Sequence, residues 1–299
     1  MAAGPLTLLL RYSLDDLDEA EARFSRIGVP FMVLAADGLG RTPDLSDDLG
    51  EVVFWPRDSA AAAAILEDAR VGLPPLHSWD KAKAEAVDWV AHWRRFFHWT
   101  AVSPTLAVGP PWEPAPPEAA IAIRIDPGEA FGTGTHPTTQ LSLGLLEEDL
   151  RARRGAGPSV LDVGCGSGIL CIGARLLGAG EILGLDLDEP ALDECARNAL
   201  LNETPFRASL VPVAEVDGAW DLVVANILPN ALVDLAPALA ARVAMGGRLI
   251  LSGVPATDED FPARFVEAAG HGWRVNETRV LDGWWAGRFL RGEKGGDPS

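Results

Sequence analysis

Three short segments hold residues whose types and spacing can do chemistry. Residues 160–168 read VLDVGCGSG, a hydrophobic strand that runs into Gly164, Gly166 and Gly168 and then into a helix. Glycine lets the backbone turn sharply and lets a ligand approach it closely, and the helix N-terminus beyond offers free amides and a positive dipole. The spacing is GxGxG, not the GxGxxG of a dinucleotide site, and Asp162 stands two residues ahead of it. The next strand, EILGLDLD, ends in Asp186 and Asp188. Asp186 lies about 20 residues beyond the first glycine, where a carboxylate accepts two hydrogen bonds from a ribose diol. Asp188 reads as a cap for the helix that starts at Pro190. The third segment, DLVVANILPN (221–230), ends an apolar strand in Asn226, at the edge where a doubly wound fold opens its crevice. A carboxamide and neighbouring carbonyls can accept hydrogen bonds from an amine and aim its lone pair at an electrophilic carbon, a proximity effect. Each segment also has a plainer reading: a structural glycine turn, or Asn226 as a strand-end turn residue.

A fourth segment, IDPGEAFGTGTHPTTQLSL (125–143), is dense in Gly, Thr and Pro. It reads as an ordered loop followed by a helix from about Pro137. Thr138 and Thr139 fall at the start of that helix, where hydroxyls reach a ligand or cap the helix. His136 is a candidate general base, although a lone loop histidine is more often structural. Phe131 stacks on a ligand or simply packs.

These segments need elements to position them. From Ala120 onward strands and helices alternate. Strands are expected at Ala120–Ile125, Val160–Val163, Glu181–Leu187, Leu210–Val213, Asp221–Ile227 and Arg248–Ser252. Helices are expected from Gly168 to Leu177, Pro190 to Asn202, Leu232 to Val243 and Phe261 to Ala269. A hairpin of Val275–Leu281 and Trp285–Leu290 closes the pattern. It predicts a doubly wound, mostly parallel sheet with one antiparallel edge strand. Ahead of it, strands at Leu6–Tyr12, Phe31–Ala36, Glu51–Trp55 and Leu76–Trp79 and helices at 13–26 and 60–69 give the order β-α-β-β-α-β, the ferredoxin-like pattern. Between the two, residues 81–99 read as a helix with Trp89, Trp93 and Phe96 or Phe97 on one face, followed by the proline-rich stretch GPPWEPAPPE. The expected organisation is a recognition domain over 1–80, a linker over 81–119, a catalytic domain over 120–292 and a disordered tail over 293–299.

The 299 residues carry a net charge of −18, and 48% of them are hydrophobic. Such an acidic chain lacks the cationic footprint of a nucleic-acid binder and steers a basic partner favourably. Three cysteines, Cys165, Cys171 and Cys195, without CxxC spacing favour neither a disulfide framework nor a metal site. The acidic N-terminal segment lacks the pattern of a signal peptide, and no apolar run reaches the length of a membrane span. A cytoplasmic protein is expected.

The GxGxG loop preceded by Asp162 resembles motif I of class I S-adenosylmethionine-dependent methyltransferases. The strand end reads NILP, not the NPPY of the DNA-adenine and glutamine methyltransferases. DPGEAFGTGTHPTT, VLDVGCGSGIL, GLDLDEPAL and VANIL, in this order, together resemble the ribosomal protein L-eleven methyltransferase family. That resemblance implies an α/β fold: a doubly wound, mostly parallel, seven-stranded Rossmann-like methyltransferase sheet with a small ferredoxin-like α+β N-terminal domain. It implies S-adenosyl-L-methionine as cofactor, contacted by Thr139, Gly164, Asp186 and Asn226, with Gly166 and Gly168 completing the loop. It makes Asn226 the residue that meets the target nitrogen. The implied reaction is methyl transfer to lysine side chains and the N-terminal amine of ribosomal protein L-eleven, by a monomer with no metal, membrane or direct nucleic-acid partner. Departures lie before residue 110: RRFFHWTAV lacks an expected proline, and the first domain is strongly acidic. Alternatives are a protein-lysine methyltransferase with another target, a nicotinamide oxidoreductase, or a binding module that keeps the fold without catalysis.

Overall fold

The computed structural model describes residues 6–24, 31–34, 46, 48–54, 59–72, 74–83, 97–126, 134–153, 155–270 and 272–291. The chain divides into two compact units, Met1–Phe97 and His98–Ser299.

In the first unit the order is β1 (Leu6–Ser13), α1 (Leu14–Phe24), β2 (Phe31–Leu34), β3 (Leu49–Phe54), α2 (Ser59–Val71) and β4 (Ser78–Lys83). The sheet order β2-β3-β1-β4 is antiparallel throughout, the ferredoxin-like arrangement. Its core joins Leu8, Leu10 and Tyr12 of β1 to Phe24 of α1, Phe54 of β3 and Ile65 of α2. Alternate β1 residues reach that core because strand side chains alternate between faces. The helix expected to begin at Lys81 does not begin there. Residues 81–83 pair with Leu8, Thr7 and Leu6 of β1 as the end of β4, so pairing along a neighbouring strand overrides their helix propensity. Trp89, Trp93 and Phe96 lie outside the described residues, as does the tail from 292.

The second unit begins with a three-stranded sheet of β5 (Thr100–Ala101), β6 (Leu106–Gly109) and β7 (Ile121–Arg124). The stretch read as a linker up to residue 119 thus contains β5 and β6. Leu106 and Val108 of β6 are buried in the same cluster as Ile123, Leu143 and Ile169, so part of that stretch is core.

The main sheet has seven strands in the order β10-β9-β8-β11-β12-β14-β13. They are β8 (Val160–Val163), β9 (Ile182–Leu185), β10 (Arg207–Ser209), β11 (Trp220–Asn226), β12 (Val243–Pro255), β13 (Trp273–Leu281) and β14 (Trp284–Arg291). Helices α3 (Pro137–Ala152), α4 (Ile169–Leu176), α5 (Glu189–Leu201), α6 (Pro229–Arg242) and α7 (Phe261–Ala269) accompany them. One face of the sheet packs Val160, Leu222, Val224 and Ile250 against α3 and α4. The other packs Leu161, Val223, Leu249 and Leu251 against α6 and α7.

Three details differ from the sequence reading. The antiparallel strand β14 is not at the edge; it lies between β12 and β13, antiparallel to both. The strand expected at Leu210–Val213 is displaced to Arg207–Ser209, where it pairs with Leu183–Leu185 of β9. Pro212 lacks the N–H that a strand would need, and a short 3-10 turn, Val213–Glu215, follows it. Finally β12 is far longer than Arg248–Ser252 and carries a register shift between Ser252 and Val254. A Cβ on the intervening Gly253 would lie 2.3 Å from the Ile227 carbonyl oxygen, so only glycine allows the backbones to meet there.

Behind the sheet, Arg288 of β14 is almost fully buried. Its guanidinium donates to Glu277 Oε2 at 2.6 Å and to Glu148 Oε2 at 3.2 Å, tying α3 to β13 and β14. Its Nε lies 3.0 Å from Asp149 Oδ2, but neither atom has an aligned hydrogen bond, so that contact is coulombic.

Candidate active site

The carboxyl ends of β8, β9 and β11 meet at the centre of the sheet, where β8 has β9 on one side and β11 on the other. This is the switch point of a doubly wound fold. The glycine loop leaves β8 with the Gly164 and Cys165 amides donating to the Leu185 carbonyl, at 2.8 and 2.9 Å. Gly164, Gly166 and Gly168 have φ of 79°, 49° and 80°, left-handed values that L side chains seldom adopt. Space is limiting as well. A Cβ at Gly164 would stand 2.3 Å from Ile227 Cγ2, and one at Gly168 would stand 2.7 Å from Cys195 Sγ. The strand end at Ile227 and helix α5 therefore close directly on the loop.

Asp186 follows β9. Its Oδ2 accepts the Gly166 N–H at 2.9 Å and its Oδ1 accepts the Asp188 N–H at 3.1 Å. Each carboxylate oxygen retains lone-pair capacity for a hydroxyl. Asp188 occupies the N-cap of α5 as read from the sequence, but its side chain makes no capping bond.

On β11, period-two alternation puts Leu222, Val224 and Asn226 on one face, the face that packs against α3 and α4. The Asn226 side-chain amide donates to Thr139 Oγ1 at 3.5 Å, and Thr139 is fully buried in the first turn of α3. Asn226 Oδ1 is buried with no hydrogen-bond partner. Turning the amide over would exchange which atom meets Thr139 and still leave the other to be satisfied. A buried polar atom without a partner is costly, so the arrangement suits a ligand that brings one. Leu228, two residues on, is 70% exposed.

Asp162 is the residue whose role the sequence reading missed. In the sequence it simply stands ahead of the glycines, while alternation along β8 carries it onto the Asn226 face. It is fully buried, its Oδ1 has no partner, and its Oδ2 accepts a weak bond from the Cys171 thiol at 3.4 Å. Burial, opposed by that bond and assisted by the charge of Asp186, raises its carboxyl to about 7. Burial also pushes the Cys171 thiol up, so it stays protonated.

His136 is the N-cap of α3. Its Nδ1 accepts the Thr138 N–H at 3.3 Å and lies 2.7 Å from Thr138 Oγ1. Its ring meets Trp284 edge-on at 4.8 Å. Burial lowers its pKa, which keeps it neutral. An Nδ1 that accepts from a backbone amide is already committed, so the geometry supports a capping role. Phe131 lies outside the described residues.

The residues fit S-adenosylmethionine on these grounds: a backbone cradle that a Cβ would fill, a strand-end carboxylate with capacity for a diol, and buried Oδ1 atoms of Asp162 and Asn226 without donors among the described residues. Residues 51–291 match the ribosomal protein L11 methyltransferase (PrmA) family. The chain belongs to that family. It is 43% identical over 248 residues to the ribosomal protein L11 methyltransferase of Bordetella bronchiseptica, spanning 78% of each chain. It is 37% identical over 294 residues to that of Ralstonia pickettii, spanning 92% of this chain and 95% of the relative. Among solved structures it is similar to the ribosomal protein L11 methylase of Lactobacillus delbrueckii subsp. bulgaricus. The TM-score is 0.57 and the identity 33%, over 66% of this chain and 100% of the other. The family assignment accounts for the joint presence of the HPTT helix start, the glycine loop and the NIL strand end in one site. It also answers the nicotinamide alternative, because this is a methyltransferase family.

Proposed function

We propose that this protein transfers methyl groups from S-adenosyl-L-methionine to lysine side-chain and N-terminal amino groups of ribosomal protein L11. The observation that carries the reading is the pairing of the strand-end carboxamide of Asn226 with Thr139, beside the left-handed glycine loop. The cofactor supplies an electrophilic methyl group on a sulfonium. Asp186 binds the ribose diol, while the loop from Gly164 to Gly168 admits the amino-acid and ribose portions against bare backbone. Asn226 holds the acceptor amine through its carboxamide and aims the nitrogen lone pair.

A lysine amine has a reference pKa of about 10.4 and must lose a proton before attack. With the His136 Nδ1 engaged by Thr138, the proton leaves to solvent. The acidic chain, net −18, favours approach of a basic ribosomal protein. The reading includes a monomeric, cytoplasmic enzyme with no direct nucleic-acid contact; among the described residues no helix is long and apolar enough to cross a membrane.

The test is transfer of labelled methyl from the cofactor to purified ribosomal protein L11 beside a mixed protein extract. Label confined to L11 supports the proposal; label confined to another protein assigns the same chemistry to a different target.

A further inference from the structure

Helix α5 turns a polar stripe towards the interior. Cys195, Asn198 and Asn202 recur at i, i+3 and i+7 and share one face. Cys195 and Asn198 are buried to 0% and 1% exposure, although asparagine is seldom fully buried. Asn198 is satisfied by two separate pieces of backbone. Its Oδ1 accepts the Asp126 N–H at 3.0 Å, and its Nδ2 donates to the Ser167 carbonyl at 3.1 Å.

One turn on, Asn202 Oδ1 accepts the Arg124 N–H at 2.8 Å while its Nδ2 donates to the Arg124 carbonyl at 2.6 Å. Strand β7 ends its sheet, with β6 on one side only. On its other edge Asn202 supplies both halves of what a neighbouring peptide group would offer. The same Nδ2 also donates to the Asn198 backbone carbonyl at 2.8 Å, which ties the Asn202 side chain to the main chain at Asn198.

Asn198 thus ties the glycine loop of the cofactor site to the chain just past β7. Ser167 sits between Gly166 and Gly168, and Asp126 lies two residues past the end of β7. We propose that Asn198, supported by Asn202, is a positioning residue that holds the glycine loop and the chain at Asp126, just past β7, in register for the cofactor. The inference rests on the S-adenosylmethionine reading. Its physical content is preorganisation: a cradle fixed beforehand loses less conformational freedom on binding. Removing the tie should weaken cofactor binding while leaving the KM for the protein substrate unchanged.

Two variants and a control of the full chain test this. Asn198→Ala removes both bonds. Asn198→Asp keeps the acceptor for Asp126 and loses the donor to Ser167. Leu192→Ala removes apolar packing from the same helix, since Leu192 packs against the core and its side chain has no polar atom to join the tie. The readouts are the Kd of S-adenosylhomocysteine by calorimetry, Tm, and amide hydrogen exchange. In Asn198→Ala, exchange should quicken both at Asp126 and over residues 164–168. In Asn198→Asp it should quicken over 164–168 alone. Both variants should raise the Kd about ten-fold, the scale of one or two lost hydrogen bonds, and Leu192→Ala should lower Tm with the Kd unchanged. A Kd within about two-fold of the parent's for both Asn198 variants, with Tm reduced as in the Leu192 control, would overturn the inference. If the parent protein bound no S-adenosylhomocysteine, the cofactor reading would fail, while the exchange pattern would still decide whether Asn198 couples the two segments.

Discussion

Asp186 Oδ2 accepts the backbone N–H of Gly166 at 2.9 Å, so the carboxylate proposed to hold the ribose also fixes the loop that carries it. Binding and loop geometry are therefore linked through one side chain. Asp186→Ala removes both functions. We expect the Kd for S-adenosylhomocysteine to rise on the order of 10- to 100-fold, the range for bonds to a charged group. Calorimetry checks this, and an unchanged Kd would remove Asp186 from the site.

Asn226 answers to a different measurement. Its Oδ1 has no partner among the described residues and its Nδ2 makes only a long bond to Thr139 at 3.5 Å, so its loss should cost little stability. Asn226→Ala should lower kcat on the order of 100-fold through lost orientation of the amine, with Tm near that of the parent. Turnover and thermal unfolding on the same preparation separate the two effects. Near-normal turnover would sink the assigned role.

His136 is the contrary case, a chemically suggestive residue whose geometry is structural. Its Nδ1 caps α3, and burial holds its pKa below the ordinary 6.5. The folded state therefore binds this proton less readily than the unfolded chain. The corresponding stability is present above about pH 6.5 and is lost as pH falls through the depressed pKa. His136→Ala should leave the shape of the pH–rate profile unaltered and reduce stability by about 1 kcal/mol, the usual worth of a cap. His136→Asn, which can cap, should restore most of that stability. Loss of the acidic limb from the pH profile in His136→Ala would return the histidine to the chemistry as a base.

The strand-turn-helix units were legible in the sequence because glycine, alternation and helical periodicity are local signals. Gly164, Gly168, Asp186 and Asn226 stand where those signals put them. What the sequence hid depends on partners distant along the chain. The place of β14 between β12 and β13 reflects packing among strands, and a hairpin pattern alone does not reveal which strand lies outside. Lys81–Lys83 read as helix because alanine and lysine favour it locally, while β1 recruits them as strand. Asp162 was visible as a residue but not as a buried one, since that requires knowing that both faces of β8 are covered. Asn198 and Asn202 offered one overlooked signal, polar residues recurring on the inward stripe of a helix.

Asp162 gives a test in pH. Its carboxyl is raised to about 7 by burial, against about 3.9 in an unfolded chain. The folded state thus binds the proton more tightly. The favourable contribution is complete below about pH 4, declines as pH rises, and is gone above about pH 7. Asp162→Asn cannot ionise and should lack that decline. The variant's Tm relative to the parent should therefore be higher at about pH 8 than at about pH 5. An equal difference at both values would contradict a buried, proton-holding Asp162.

The proposed activity is methylation of amino groups of a ribosomal protein through the site at Asn226. Intact-mass and peptide mass spectrometry of purified ribosomal protein L11, before and after incubation with enzyme and S-adenosylmethionine, tests it most directly. The account predicts added mass in whole multiples of one methylene, located on lysine side chains or the N-terminal amine, and greatly reduced with Asn226→Ala. An unmodified L11, under conditions where the enzyme binds the cofactor, would contradict it.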